Sequence, residues 1–224
     1  MRAVVLSSGG LDSSVLMLMM QREGIEIRPL HVNYGQVSEL QEWRACGLIC
    51  AHLNIGPPER IDLGDLGRIP SGITNRQRSE QSVFYPARNL LLATVAAAFA
   101  FSEGIDTVAI GLISNAIFPD QTRAFVSAAE KAISEAIGHH MSVLTPLIAL
   151  DKRDILKLAK AYGLPTERTY SCYDGGPTAC GRCAACQERE GAEAALRDEE
   201  DKETRSDTAH LMPWDALRER NANG

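Results

Sequence analysis

The sequence predicts an α/β fold, a doubly wound and mostly parallel sheet with helices on both faces, followed by a small C-terminal cysteine-rich subdomain. Three observations point to it. Short apolar runs of strand character alternate with stretches of helical periodicity along most of the chain, an order that right-handed crossovers turn into a parallel sheet. A glycine-rich polar loop, LSSGGLDSS at residues 6–14, follows the first apolar run directly, and sheets of this class bind ligands beyond the carboxyl ends of their strands. Four cysteines crowd into residues 172–186.

Taken in order, Arg2 to Ser7 reads as a buried strand and Val15 to Gln21 as a helix. Ile25 to Tyr34 is a second strand that Gly35 ends, and Ser38 is placed to cap a helix running to about Leu53. Ile61 to Leu63 makes a weak third strand. The stretch from there to Tyr85, rich in Gly, Pro, Arg and Gln, is long for a mere connection and predicts a lid or substrate loop. Pro86 opens an alanine-rich helix through Ser102, which Gly104 closes. Asp106 to Leu112 alternates as a strand, and Phe125 to Ile137 has helical periodicity. Asp151 caps a helix through Tyr162 with Ile155, Leu156, Leu158, Ala159 and Tyr162 on one face, and Gly163 and Pro165 stop it. After Gln187 alanine and charge take over in GAEAALRDEEDKETRSD, the pattern of a solvated and partly disordered tail, with a short amphipathic piece at Leu211 to Arg220. The chain therefore divides into a loop-bearing α/β domain at 1–165, a four-cysteine segment at 166–196 and an acidic tail at 197–224.

Composition narrows the function. With 224 residues, 45 % of them hydrophobic, the chain can bury the core of one domain with a small appendage. The longest apolar stretch, Leu90 to Phe101 with Thr94 inside it, falls well short of the ~20 residues of a spanning helix, so no membrane role is expected. The N-terminus has no long apolar region, which predicts a cytoplasmic protein. There, six cysteines argue for metal ligation or catalysis before disulfides. A net charge of -6 disfavours a nucleic-acid partner and favours a small-molecule substrate.

The loop has the physics of an anion cradle. It contains no Gly-Lys pair, so it is not the lysine-bearing phosphate loop. Gly9 and Gly10 let successive N–H groups turn inward, the following helix adds its positive end, and Ser8 and Ser13 add hydroxyl donors. Asp12 would repel phosphates unless a cation lay between them, and Mg2+ chelated by pyrophosphate resolves that conflict. At the other end, Cys172, Cys180, Cys183 and Cys186 form C-x7-C-x2-C-x2-C, which suits a closed tetrahedral Zn2+ site, with an iron–sulfur cluster as the alternative. Cys46 and Cys50, four apart on a predicted helix, read as packing residues.

SGGLDS resembles the pyrophosphate loop of the N-type ATP pyrophosphatases, whose fold is adenine nucleotide alpha hydrolase-like. The resemblance implies ATP as co-substrate, with Leu6, Ser7, Ser8, Gly9, Gly10, Leu11, Asp12, Ser13 and Ser14 around its phosphates. Together with the cysteines, the chain from about 2 to 196 closely resembles the 7-cyano-7-deazaguanine synthase family of queuosine biosynthesis. FYPARN at 84–89, PD at 119–120, TPL at 145–147 and SCY before the spaced cysteines carry that likeness. It implies ATP-dependent conversion of 7-carboxy-7-deazaguanine and free ammonia to the nitrile through an adenylated carboxylate and an adenylated amide. A homodimer is expected. By the same resemblance Asp12 and Lys152 are catalytic, and Arg88, Asn89, Phe118, Pro119, Asp120 and Arg123 bind substrate. One segment departs from the family: its loop reads roughly DYSGYPDCR, whereas residues 113–123 are ISNAIFPDQTR, with Thr122 where an arginine is expected and Arg123 one place later. A related ligase that stops at an amide, or joins a deazaguanine to another acceptor such as a protein, is the alternative. His139 and His140 receive no role.

Overall fold

The computed structural model describes residues 1–75, 83–114 and 118–203. Its strands are β1 (Arg2–Leu6), β2 (Glu26–Asn33), β3 (Glu59–Asp62), β4 (Thr107–Ala109) and β5 (Ser142–Leu144). The helices are α1 (Leu11–Arg22), α2 (Glu39–His52), α3 (Arg88–Ser102), α4 (Arg123–Ile137), α5 (Lys152–Ala161) and α6 (Ala184–Glu203). The five strands lie in the order β3-β2-β1-β4-β5 and every adjacent pair is parallel.

β1 shows why the sheet is buried on both sides. Ala3 and Val5 enter one core, with α1, α2 and α5, while Val4 and Leu6 enter the other, with α3 and α4. A central parallel strand needs that continuous apolar run. α1 begins at Leu11, four residues earlier than its periodicity suggested, because the Ser13 and Ser14 hydroxyls donate to the Gly10 carbonyl at 3.1 and 2.7 Å and so belong to its first turn. Ser38 does not cap α2. Its hydroxyl donates to Glu42 instead, at 2.6 Å. β5 is too short for periodicity to have revealed it.

Two helix starts bear on the site. α3 opens at Arg88 rather than Pro86, after Ala87 in the left-handed region at φ 55°. No side chain of its own caps this helix. The Asp120 carboxylate does so from another segment, accepting from the Asn89 N–H at 2.9 Å. Thr122, where the expected arginine is missing, is the N-cap of α4 and accepts from the Phe125 N–H at 3.1 Å. Thr122→Ala is therefore expected to cost about 1 kcal/mol, which thermal melting would read as a fall of roughly 2–4 °C in Tm. An unchanged Tm would show that the cap contributes nothing.

The alanine- and charge-rich run expected as a tail is helical as far as Glu203. Ala192 is buried and Leu196 packs on the first core, while Glu199 meets Lys157 at 2.6 Å and Arg153 at 3.4 Å. Residues 204–224, with the amphipathic piece at Leu211 to Arg220, lie outside the described residues. Among the described residues no helix is long and apolar enough to cross a membrane.

Candidate active site

Residues 7–10 leave the carboxyl end of β1 beside β4, where the strand order reverses, the position at which doubly wound sheets open a crevice. Gly9 sits at φ +69° with its backbone pressed on α2. A Cβ there would come within 2.6 Å of the Cys46 nitrogen. The Gly9 carbonyl accepts from the Tyr170 N–H at 2.8 Å, which ties the cysteine-rich segment to the loop. Ser8 Oγ accepts from the Gly10 N–H at 3.2 Å, Ser13 Oγ accepts from the Ser8 N–H at 3.3 Å, and Ser171 Oγ accepts from the Leu11 N–H at 3.5 Å. The N–H groups of Ser8, Gly10 and Leu11 are thus gathered under hydroxyls that an anion can displace or share. Gly111, after β4, passes the first turn of α1 so closely that a Cβ would lie 3.2 Å from the Ser13 nitrogen.

Lys152 opens α5 and reaches the loop. Its Nζ lies 2.8 Å from both Asp12 oxygens and 3.5 Å from Glu188 on α6, with 13 % of the side chain exposed. Burial raises the Asp12 carboxyl above the usual carboxylate range although the ammonium opposes it. Burial works against the Lys152 charge, but Asp12 and Glu188 more than offset it and hold the ammonium above its ordinary value. The two residues named as catalytic by resemblance, Asp12 and Lys152, are therefore in direct contact.

Loop and lysine line one cavity of about 350 Å³, whose other walls include Tyr34, Gln36, Glu42, Arg88, Tyr170 and Tyr173. Arg88 projects from the first turn of α3 and donates to the Tyr34 hydroxyl. Burial disfavours its charge, yet Tyr34, Tyr173 and the nearby Asp120 carry it above its ordinary value. Among the described residues no carboxylate lies within ion-pair distance of Arg88, so a ligand carboxylate or phosphate fits its fork. Burial likewise pushes the Tyr34 phenol well up. Ile73 and Val83, at the described ends of the predicted lid, add apolar lining.

Not every expected residue reaches this cavity. Leu6, Ser7, Ser8, Gly10, Leu11, Asp12, Ser13, Arg88, Asn89, Phe118 and Lys152 line it. Gly9 is turned toward α2 and Ser14 is fully buried against the Gly10 carbonyl, so both shape the loop from behind. Pro119, Asp120 and Arg123 are not among the residues that line the cavity. Pro119 is exposed at the start of a 3-10 turn, and Arg123 is exposed at the start of α4, next to the capping Thr122. The Asp120 carboxylate accepts from the Asn89 N–H, and Asn89 Nδ2 donates to the Asp120 carbonyl at 2.9 Å, so the two residues hold each other in place.

The Sγ atoms of Cys172, Cys180, Cys183 and Cys186 all lie within 4.8 Å of one another. Four zinc–sulfur bonds of about 2.3 Å in a tetrahedron would set them roughly 3.8 Å apart, so the set fits a single ion after a small contraction. Cys172 Sγ accepts from the N–H groups of Asp174 and Cys180, at 3.4 and 3.3 Å, and Cys180 Sγ from that of Cys183 at 3.3 Å. Such donors favour thiolates. Burial would raise Cys180, but the N–H groups of Arg182 and Cys183 bring it down to about 7; burial and the neighbouring thiols push Cys186 up to about 12. The cluster needs a cation to ionise fully. Cys46, by contrast, is buried and donates to Ser7 Oγ at 2.9 Å, as expected of a packing residue.

Sequence reasoning gave no role to Tyr34, Gln36, Glu42, Tyr170, Ser171, Tyr173 or Glu188. Tyr34 and Gln36 had a usable signal, since polar residues just past a strand's carboxyl end face the crevice in this fold class. Glu188 had none, because only the packing of α6 on α5 brings it to Lys152.

Comparisons with known proteins agree with this geometry. Residues 2–196 match the family model described as "Queuosine biosynthesis protein QueC". The chain is 37 % identical over 203 residues to a 7-cyano-7-deazaguanine synthase of a Nitratiruptor species, a match that spans 84 % of this chain and 92 % of that protein. It is 35 % identical over 211 residues to one of Methanosphaerula palustris, spanning 88 % and 96 %. Among solved structures, NMN synthetase from Francisella tularensis superposes with a TM-score of 0.50 at 14 % identity, covering 95 % of this chain and 89 % of that one. At that identity the likeness speaks to the fold alone.

Proposed function

The chain belongs to the QueC family of queuosine biosynthesis proteins, and from that premise we propose that it converts 7-carboxy-7-deazaguanine, ammonia and two ATP to 7-cyano-7-deazaguanine, two AMP and two pyrophosphates. The observation that carries this reading is one cavity walled by the SGGLDS loop, the Asp12–Lys152 pair and the Arg88 guanidinium. In the first round the substrate carboxylate attacks the α-phosphorus of ATP. The inward N–H groups of the loop and the Lys152 ammonium stabilise the charge that develops on the departing pyrophosphate. Ammonia adds to the activated carbonyl carbon, AMP leaves and a proton is lost, giving the amide. In the second round the amide oxygen is adenylated, and loss of AMP with the remaining N–H protons leaves C≡N. Asp12 and Glu188, both beside the Lys152 ammonium, are the carboxylates able to receive those protons. Arg88 orients the acid, and the apolar lining excludes water that would hydrolyse an activated acyl group.

Asp12 would hold a magnesium ion beside the phosphates, where it spreads their charge. The four cysteines would hold one zinc ion in a structural role. Their mutual spacing supports a single ion, since a cluster with one thiolate on each of several irons holds its sulfurs farther apart.

Mass spectrometry of a mixture of the protein, ATP, magnesium, 7-carboxy-7-deazaguanine and ammonium tests the proposal. The expected result is nitrile with two AMP for each molecule formed. Amide with one AMP would assign a shorter reaction, and AMP without either product another acceptor; absence of AMP would remove the substrate assignment.

A further inference from the structure

The wall formed by β2 and α2 is built of hydrogen-bond acceptors, and neither the loop chemistry nor the metal uses it. Glu42 lines the cavity with its carboxylate fixed in place: Oε1 accepts from Ser38 Oγ at 2.6 Å and Oε2 from Gln36 Nε2 at 3.0 Å. Gln36 is itself immobilised, 4 % exposed, with its Oε1 accepting from the Tyr34 N–H at 2.8 Å and its Nε2 also donating to the Val32 carbonyl at 3.3 Å. The two bonds leave each carboxylate oxygen with a free lone pair. Next to this network His31 lines the same cavity. Its Nδ1 lies 3.0 Å from the Ser7 carbonyl oxygen, an acceptor only, so the ring proton belongs on Nδ1. That leaves Nε2 as a second acceptor, and it is the buried side-chain atom that has no partner among the described residues.

An acidic wall beside a phosphate loop repels phosphate and suits a ligand edge made of N–H donors. Resting on the proposed function, we propose that Glu42 reads the donor edge of the deazaguanine ring, its N1–H and 2-amino group, so that the ring is gripped at that edge by Glu42 and at its carboxylate by Arg88. The Tyr34 phenol accepts from Arg88, and the Glu42 carboxylate is near enough to oppose its ionisation. A purine amino group on ATP has related chemistry, and the measurements below separate the two.

The test compares 7-carboxy-7-deazaguanine with its 2-desamino analogue on the full-length wild type and on Glu42→Gln, following AMP release and varying acid and ATP separately. Wild type should use the analogue about 10- to 100-fold less efficiently, the range expected for a hydrogen bond to a charged group. Glu42→Gln should lose most of that discrimination by raising KM for the natural acid, with KM for ATP changed less than about twofold. Equal use of both acids by wild type would overturn the inference whatever the variant does. Discrimination that persists in Glu42→Gln, or a rise confined to the KM for ATP, would overturn it too. Failure of the underlying reaction is distinct, since wild type would then release no AMP with the natural acid.

Discussion

Cys172→Ala is expected to lower Tm by at least about 10 °C and to leave the purified chain without its metal. A structural zinc site supplies on the order of 10 kcal/mol of apparent binding free energy, comparable with the ~5–15 kcal/mol that holds a whole domain folded. Cys172 is 2 % exposed and its sulfur accepts two backbone N–H bonds, so the alanine leaves these donors unsatisfied as well. The damage should spread to the active site. Cys172 follows Tyr170, whose N–H holds the Gly9 carbonyl, and Ser171, whose hydroxyl meets the Leu11 N–H. ATP affinity should therefore fall together with metal content. Linkage requires the converse, so saturating ATP should raise the metal's equilibrium affinity in competition with a chelator. Elemental analysis and calorimetry check this pair. About one zinc per wild-type chain is expected; iron with a visible chromophore, or a variant that melts like wild type, would contradict the structural zinc site.

Asp12→Ala should reduce AMP formation by about 10³-fold, the upper end of what loss of one electrostatic element costs an enzyme of this kind, while leaving a folded protein. α1 is anchored by Leu11, Val15, Leu16 and Met17, all buried, so its first turn survives the truncation. Lys152 keeps Glu188 as partner at 3.5 Å and is not stranded as a lone charge. The destabilisation should then be modest, on the order of 1–2 kcal/mol, and visible as a small fall in Tm beside a near-total loss of turnover. A variant that turns over normally would remove Asp12 from the chemistry. One that loses turnover only because it no longer melts cooperatively would assign it to the fold.

How much of this was legible from sequence follows from how local each feature is. The glycine pair, its serines and the apolar strand before them lie within a dozen residues, so their spacing revealed both the turn and its chemistry. The cysteine cluster was legible for the same reason, as its last three ligands lie within one turn and the start of α6. What the sequence could not show are contacts made only by folding. Ser171 meets Leu11 across a separation of 160 residues, and Asp120 meets Asn89 across 31. That Asp120 caps α3 and Thr122 caps α4 was hidden as well, because a linear motif carries no information about which residue a cap consumes. The acidic run after Gln187 misled for a related reason. Its composition matches a solvated tail, while Ala192 and Leu196 at helical spacing are enough to hold it on the core.

The cap that Asp120 lends to α3 makes the Asn89 amide a reporter on a distant segment. In a helix capped by its own residues the first turn frays on its own, and its amides exchange with solvent at a rate set locally. Here the Asn89 N–H is covered only while residues 118–121 stay docked. Its hydrogen exchange should therefore track the opening of that turn rather than the fraying of α3. Whenever the turn departs, the first turn of α3, which carries Arg88, loses this cap in the same event.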